Sequence, residues 1–272
     1  MQIGLNCGRR ACLASRTHFL SIAILVLAFV PALAHAQTDE IQVYDAEIAA
    51  PGSVNLTLHN NYTPSGRLAV EEPGGVIPNH ALNGVPEWAY GVTPWFEAGL
   101  YLPLYSITSG SVLFNGFKLR TLFVEPDAAN HTFVYGINFE YSYNEPHWDP
   151  HRYTSEIRPI IGWHLGDFDL ILNPILDNSF EGFGKLDFAP EARLAWNVSK
   201  TIALAAEEYD DFGPLEHFYG HDEQSHQLFS VLDFHEGSFL LEVGLGFGLT
   251  SGSDHRVIKL ILSRDLYDPS GH

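Results

Sequence analysis

Apolar and polar residues alternate with a period of two along most of the chain beyond residue 50. In 133–141 every odd position is a large apolar residue, whereas Asn138 and Glu140 lie between them. In 239–249 apolar residues again recur at every second position, with Glu242 and three glycines on the other face. Successive side chains of a β-strand point to opposite faces, so this pattern predicts strands with one apolar and one polar face.

Twelve segments of this kind can be counted, with a range of ten to fourteen because three are ambiguous. The segment 86–92 is short, 168–176 is apolar on both faces, and 225–235 has no clear parity. The predicted strands are 53–62, 86–92, 95–104, 112–123, 132–143, 154–165, 168–176, 185–198, 201–208, 225–235, 238–250 and 256–266. The fold class is therefore all-β.

The connections between these strands alternate in length. The short ones include 93–94, 166–167, 199–200 and 236–237, with 124–131 somewhat longer. The long ones are 63–85, 105–111, 144–153, 177–184, 209–224 and 251–255. Short turns at one end and longer loops at the other are typical of a transmembrane antiparallel up-and-down β-barrel, in which the short turns are periplasmic.

Aromatic residues near the predicted strand ends agree with an interfacial girdle. They are Trp88, Trp95, Tyr105, Trp148, Trp196 and Tyr267. A soluble sandwich or jelly roll is the alternative, because it also alternates apolar and polar residues. The glycine and asparagine content of the polar faces and the scarcity of lysine favour the barrel.

The first 36 residues have the features of a secretory signal peptide. Arg9, Arg10 and Arg16 precede an apolar run over 19–30, and the small-x-small sequence Ala34-His35-Ala36 would be cut after Ala36. The run is too short for a helical membrane span, which needs about 20 residues. We therefore expect a signal peptide at 1–36 and one barrel domain at 37–272, without cysteine or methionine.

The charge balance narrows the possible partners. The chain carries 14 basic and 33 acidic residues, and the leader contains three of the arginines and no acid. An excess of acid argues against nucleic acid, whose binding requires a basic surface. The expected partners are outer-membrane lipid and lipopolysaccharide and a small-molecule solute, in the outer membrane of a Gram-negative bacterium. No cofactor is expected.

Residues 87–105 read EWAYGVTPWFEAGLYLPLY. This stretch resembles the strand-turn-strand of a proteobacterial outer-membrane family named after the MetA pathway of phenol degradation. The positions that carry the resemblance are Tyr90, Gly91, Thr93, Glu97, Gly99 and Pro103. The resemblance implies a β-barrel with a transport role, and aromatic or other small organic compounds as solutes.

Charged and amide residues on the polar faces are the candidate pore-lining set, because opposite charges on neighbouring strands should pair inside a narrow lumen. The set is Lys118, Arg120, Asn138, Glu140, Glu156, Arg158, Lys185, Asp187, Glu191 and Arg193. Such a network either selects what passes or fills the lumen. A twelve-stranded barrel lies between filled eight-stranded barrels and open porins, so both outcomes remain possible.

Two further chemistries are weaker candidates. His147, His151, His217 and His221 lie in predicted long loops beside carboxylates, which suits a transition metal, although their spacing matches no standard zinc motif. A phospholipase-like hydrolase would need a Ser–His pair on the outer wall, for which only His226 with Ser225 or Ser230 qualifies. We therefore expect a non-enzyme: a narrow passive channel, or alternatively a structural or surface-interaction barrel with cation-binding acidic loops.

Overall fold

The computed structural model describes residues 40–70, 75–108 and 110–269, and the predicted leader 1–36 lies outside them. The described residues form fourteen strand segments. They are β1 Val54–Ser65, β2 Leu82–Thr93, β3 Phe96–Thr108, β4 Ser111–Val124, β5 Phe133–Asn144, β6 Tyr153–Leu165, β7 Phe168–Asn173, β8 Leu176–Asn178, β9 Asp187–Phe188, β10 Glu191–Asn197, β11 Ile202–Asp211, β12 Ser225–Glu236, β13 Phe239–Gly248 and β14 Arg256–Tyr267. No helix in these ranges is long and apolar enough to cross a membrane.

The segments form one closed antiparallel barrel. Apart from β7 with β8 and β9 with β10, strands that are neighbours in the chain are hydrogen bonded to each other. The barrel closes where β1 pairs with β14, from Val54 opposite Tyr267 to Ser65 opposite Arg256. β7 and β8 both pair with β6, and β9 and β10 pair with β8 and β7 respectively. The fourteen segments therefore make twelve barrel strands, as the alternation predicted.

Two barrel strands are interrupted near a proline. The predicted strand 168–176 is split into β7 and β8 around Pro174, and the predicted strand 185–198 into β9 and β10 around Pro190. Proline has no N–H group and cannot donate to the ladder, which explains why pairing stops there. The predicted loop 105–111 is also wrong, because β3 and β4 are longer than predicted and include most of these residues.

The two faces of the barrel wall differ in polarity. Asn138 and Lys259 are fully buried on the inner face, whereas Leu194 and Leu245 on the outer face are 53% and 51% exposed. A soluble sandwich would bury its apolar face and expose its polar one, so the observed arrangement excludes that alternative. Trp88, Trp95, Trp196 and Tyr267 are likewise exposed.

One predicted girdle residue is not at the surface. Trp148 is only 7% exposed and lies in the loop between β5 and β6, where its backbone N–H donates to the Glu145 carbonyl. The loop takes this aromatic residue away from the strand, so its distance from a strand end along the chain does not place it at the lipid interface.

Residues 40–53, here called the lumen segment, run inside the barrel before β1 begins. Ile41 packs against Phe229 on the inner wall, and Val43 belongs to a second buried cluster with Ile160. The wall is shaped for this segment at Gly91, where any side chain would collide with the carbonyl oxygens of Ala49 and Ala50. The alternation of apolar and polar residues along the chain does not predict that this stretch enters the lumen.

Candidate functional site in the barrel lumen

A first group of buried charges, here called the Arg120 cluster, occupies one side of the lumen. Arg120 on β4 contacts Glu87 on β2 at 2.7 Å and also pairs with Glu97 on β3. The Glu87 carboxylate accepts a further hydrogen bond from His59 Nε2 at 3.0 Å. Register places these residues together, since Glu87 lies opposite Tyr101 and Gly99 lies opposite Arg120.

A second group, the Arg193 cluster, lies on the other side. Arg193 on β10 pairs with Glu207 on β11 and Asp233 on β12. Lys259 on β14 pairs with Glu207 and, at 2.5 Å, with Glu242 on β13. Buried charges are tolerated when they are paired, and these pairs extend across five neighbouring strands. Asp233 Oδ1 is the exception, because it has no hydrogen-bond partner among the described residues.

The lumen segment lies between the two clusters and is bound by side chains of the wall. The Tyr44 hydroxyl lies 2.5 Å from the Tyr101 hydroxyl, and Asn173 exchanges two hydrogen bonds with the Tyr44 backbone at 2.7 and 2.9 Å. Arg158 donates to the Gln42 carbonyl at 2.8 Å. At the other end of the segment the Ala49 N–H donates to Glu97 at 2.6 Å. The middle of the lumen is therefore filled by protein.

Glu40, at the start of the lumen segment, is a buried carboxyl group that lacks hydrogen-bond donors in the described part of the chain. Its two carboxylate oxygens are buried and have no hydrogen-bond partner among the described residues. Burial raises the pKa of Glu40 to about 7, and the neighbouring Glu140 and Glu87 act in the same direction against His59 and Arg158. The Glu40 carboxyl therefore holds its proton more tightly than the carboxyl of an exposed glutamate does.

The lumen opens into a cavity of about 110 Å³ at the end that carries the short turns. Lumen-segment residues and the ends of the inner wall line it together. The lining residues are Asp45, Glu47, Ala129, His164, Asp169, Ile171, Arg193, Ala195, Asn197, Ala203, Asp233 and His235.

Most of the predicted pore-lining residues have largely buried side chains on the inner wall. Lys118 pairs with Glu140 at 3.5 Å, and Arg158 pairs with Glu156 and Glu191 at 2.7 and 3.3 Å. The predicted residues that lie in this way are Lys118, Arg120, Asn138, Glu140, Glu156, Arg158, Glu191 and Arg193. Whether a solute passes them stays a prediction.

The remaining two predicted residues lie elsewhere. Asp187 is half-buried on β9, opposite Asp177 of β8. Lys185 was expected to share a face with Glu191, but it ends a 3₁₀ turn at Phe183–Lys185, is about half exposed and pairs with Glu216. The strand does not extend that far, so the period of two carries no information about where Lys185 points.

The loop histidines do not form a metal centre among the residues that the structure describes. His147 contacts Asn115 at 3.1 Å, and His151 lies 3.4 Å from both Asp149 and Glu181. His217 and His221 belong to a different loop. Within the described ranges, no group of three or more potential ligands is arranged to hold a metal ion.

His226 does not have the partners that a hydrolase requires. Its Nδ1 lies 2.6 Å from Asp210, and its Nε2 lies 2.9 Å from the Gln224 side-chain oxygen, where a nucleophilic serine would be needed. Ser225 contacts Ser253 instead, and Ser230 lies four residues along β12 on the exposed face. The Ser–His pair considered in the sequence analysis is therefore not assembled.

A closed antiparallel barrel with an apolar exterior, aromatic strand ends and a polar interior defines an outer-membrane β-barrel protein. No family profile matches the chain, and no curated protein matches it by sequence. Among solved structures, the COG4313 outer membrane channel from Pseudomonas putida F1 is similar over 84% of this chain and 100% of that one, with a TM-score of 0.57 and 13% identity. The KdgM porin in complex with disordered oligogalacturonate is similar over 78% of this chain and 99% of that one, with a TM-score of 0.51 and 9% identity.

Proposed function

We propose that the protein conducts small solutes across the outer membrane, after removal of a signal peptide at 1–36, and that the lumen segment is the movable constriction. The observation that carries this proposal is that the lumen segment is not a strand of the barrel: its backbone pairs with β2 at Gly91, and the rest of it is held by side-chain packing and hydrogen bonds such as those from Arg158 and Asn173. Moving the part before Gly52 would break this packing and these hydrogen bonds but would leave every pair of barrel strands intact.

The hydrogen bonds between the barrel wall and the lumen segment are weak enough for the segment to leave its position in the lumen. Water can replace the hydrogen bonds that Arg158 and Asn173 make to the lumen segment, so the net contribution of each is about 0.5–1.5 kcal/mol. The inner wall that would be exposed carries polar residues such as Asn138 and Lys259, together with apolar residues such as Phe229 that pack on the segment. Similarity to barrels described as a channel and a porin supports the same reading.

The solute class is a finer part of this proposal. The resemblance of 87–105 to the phenol-pathway family supports aromatic or other small organic compounds. The KdgM porin was solved in complex with disordered oligogalacturonate, an organic solute, which supports the wider class.

A structural or surface-interaction barrel is the second candidate, because the middle of the lumen is packed. Tyr44, Tyr101 and Arg120 meet there, with the Arg120 guanidinium 5.5 Å from the Tyr44 ring centroid and 5.8 Å from the Tyr101 ring centroid. This packing is what we expect of a barrel that never conducts, in which the lumen segment stays in place.

Single-channel recording of the purified protein in a planar bilayer separates the two candidates. Transport predicts a small open-channel current and a several-fold larger one for Tyr44→Ala, which removes the side chain between the two charge clusters. Tyr62→Ala on the outer face is the matched control and should conduct as the original chain does. Silence in all three proteins would reject the transport proposal.

A further inference from the structure

We propose that the cavity at the short-turn end of the lumen binds small organic cations through an ammonium group held by Asp233 and Asp169. This inference rests on the proposed function for its physiological meaning, since it names the solute class of the same lumen. Its geometry stands independently, because the cavity is present whether or not the barrel conducts.

The cavity has an excess of negative charge. Four carboxylates line it, Asp45 and Glu47 from the lumen segment and Asp169 and Asp233 from the wall, against one cationic side chain, Arg193. Arg193 already pairs with Glu207 and Asp233 and lies 3.9 Å from Glu242. The charge of Arg193 is therefore compensated by carboxylates, of which Glu207 and Glu242 lie outside the cavity. Because the lining carboxylates outnumber this one cationic side chain, the cavity attracts cations.

Asp233 supplies the observation that points to a ligand. The residue is only 2% exposed, its Oδ2 accepts from Arg193, and its Oδ1 is buried without a hydrogen-bond partner in the described part of the chain. A buried carboxylate oxygen without a donor costs free energy. An ammonium group in the cavity would supply the missing donor.

Asp169 and His164 border the same cavity, and Asn197 Nδ2 already donates to Asp169 Oδ2 at 2.6 Å. His164 Nδ1 lies 2.6 Å from Asp169, which holds that nitrogen as the donor and leaves Nε2 with a free lone pair. That Nε2 is also buried without a partner among the described residues. A primary ammonium has three N–H groups and can donate to more than one of these acceptors.

The size and the remaining lining residues favour an organic cation over a metal ion. No described group of three or more ligands is arranged around one point, as a chelated metal requires. The volume of about 110 Å³ corresponds to roughly four waters at ~30 Å³ each. Ile171, Ala195 and Ala203 provide an apolar wall for a short alkyl chain.

The test is isothermal titration calorimetry on the purified mature protein in detergent, with n-propylammonium as the probe and 1-propanol and propionate as comparisons. We expect saturable binding of propylammonium and no binding of the neutral or anionic compound. Asp233→Asn should weaken binding at least tenfold. Glu47→Gln, in the lumen segment and outside the strand ladder, should weaken it several-fold without lowering the melting temperature.

Asp167→Asn is the matched control, because it removes the same charge from an exposed turn at the same end of the barrel. It should bind propylammonium as tightly as the original chain. Equal binding of propanol, equal loss in Asp167→Asn, or no binding by the folded protein would each overturn the inference. Binding without any bilayer current would reject the proposed transport function and leave the cation site standing.

Discussion

The guanidinium of Arg158 lies 4.3 Å from the centroid of the Tyr44 ring, so a charge on the barrel wall stacks on the lumen segment. The same side chain pairs with Glu156 and Glu191 and donates to the Gln42 carbonyl. Cation–π contact of a desolvated arginine is worth about 2 kcal/mol, which makes Arg158 a major attachment of the segment.

Arg158→Ala should loosen the lumen segment and leave the carboxylates of Glu156 and Glu191 without a counter-charge. Breaking a buried ion pair costs about 3–5 kcal/mol, so we expect a lower melting temperature. We also expect larger bilayer currents and a reversal potential shifted toward cation preference. Both are measured on the same purified variant.

Arg152→Ala is the control, because Arg152 is an exposed loop residue whose guanidinium lies 5.7 Å from the Tyr143 ring centroid. It should change neither quantity appreciably. An Arg158→Ala protein with unchanged stability and unchanged selectivity would contradict the role assigned to Arg158.

Arginine substitutions on the outer face should depend on depth. Leu194→Arg, within β10, is expected to cost about 2–4 kcal/mol on refolding into bilayers, because it places a charge in hydrocarbon. Val198→Arg lies beside the short turn after the same strand and should cost about 0–1 kcal/mol, because its charge reaches the interface. Equal costs in a denaturant titration would mean that the membrane boundaries are misplaced.

Cysteine labelling tests which end of the barrel faces outward. Beyond residue 36 the chain has no cysteine, so single substitutions report only the chosen site. Asp149→Cys and Gly220→Cys, in long loops, should react with a membrane-impermeant maleimide on intact cells. Ser199→Cys, in a short turn, should react only after the cells are lysed. The reverse pattern would show that the short turns are extracellular.

Glu40→Gln should alter how stability depends on pH. The pKa of Glu40 is about 7 in the folded protein against an ordinary value of 4.5, so folding favours its protonated form. Its favourable contribution is complete below pH 4.5 and is lost as the pH rises through 7. Glu40→Gln should therefore be the more stable protein above pH 7, in melting curves recorded from pH 4 to 9.

The two curves should converge toward pH 4. Glu236→Gln, an exposed carboxylate at the end of β12, should follow the original chain throughout. Parallel curves for Glu40→Gln and the original chain would show that folding does not raise the pKa of Glu40.

The strands were predictable because their two faces lie in different solvents. Phe139 points to lipid and Asn138 to the lumen, so the sequence of β5 alternates between apolar and polar residues. Even the ambiguous segment 225–235 has a definite parity, with Phe229 and Val231 buried and Leu228 and Leu232 exposed. Aromatic and apolar residues face inward there because they contact the lumen segment, which a binary pattern cannot anticipate.

The lumen segment was not predictable from periodicity. It pairs with no strand in a continuous ladder, so its burial depends on contacts such as Tyr44 with Tyr101, 57 residues along the chain. For the same reason the cavity could not be foreseen, since Asp45 and Asp233 share it only after the segment enters the barrel. A weak signal was available in Ile41 and Val43, which alternate with polar residues in an otherwise acidic stretch.

The lumen segment is covalently attached to the barrel that binds it, because β1 begins at Val54, immediately after the segment. It therefore acts as a tethered ligand of the barrel wall. A short tether gives an effective concentration in the millimolar range, whatever the amount of protein in the membrane. A solute that shares the segment's contacts must compete with that concentration, whereas a solute that binds elsewhere in the lumen need not. The effective concentration and the affinity of the segment for the wall together set the external concentration at which such a solute displaces the segment.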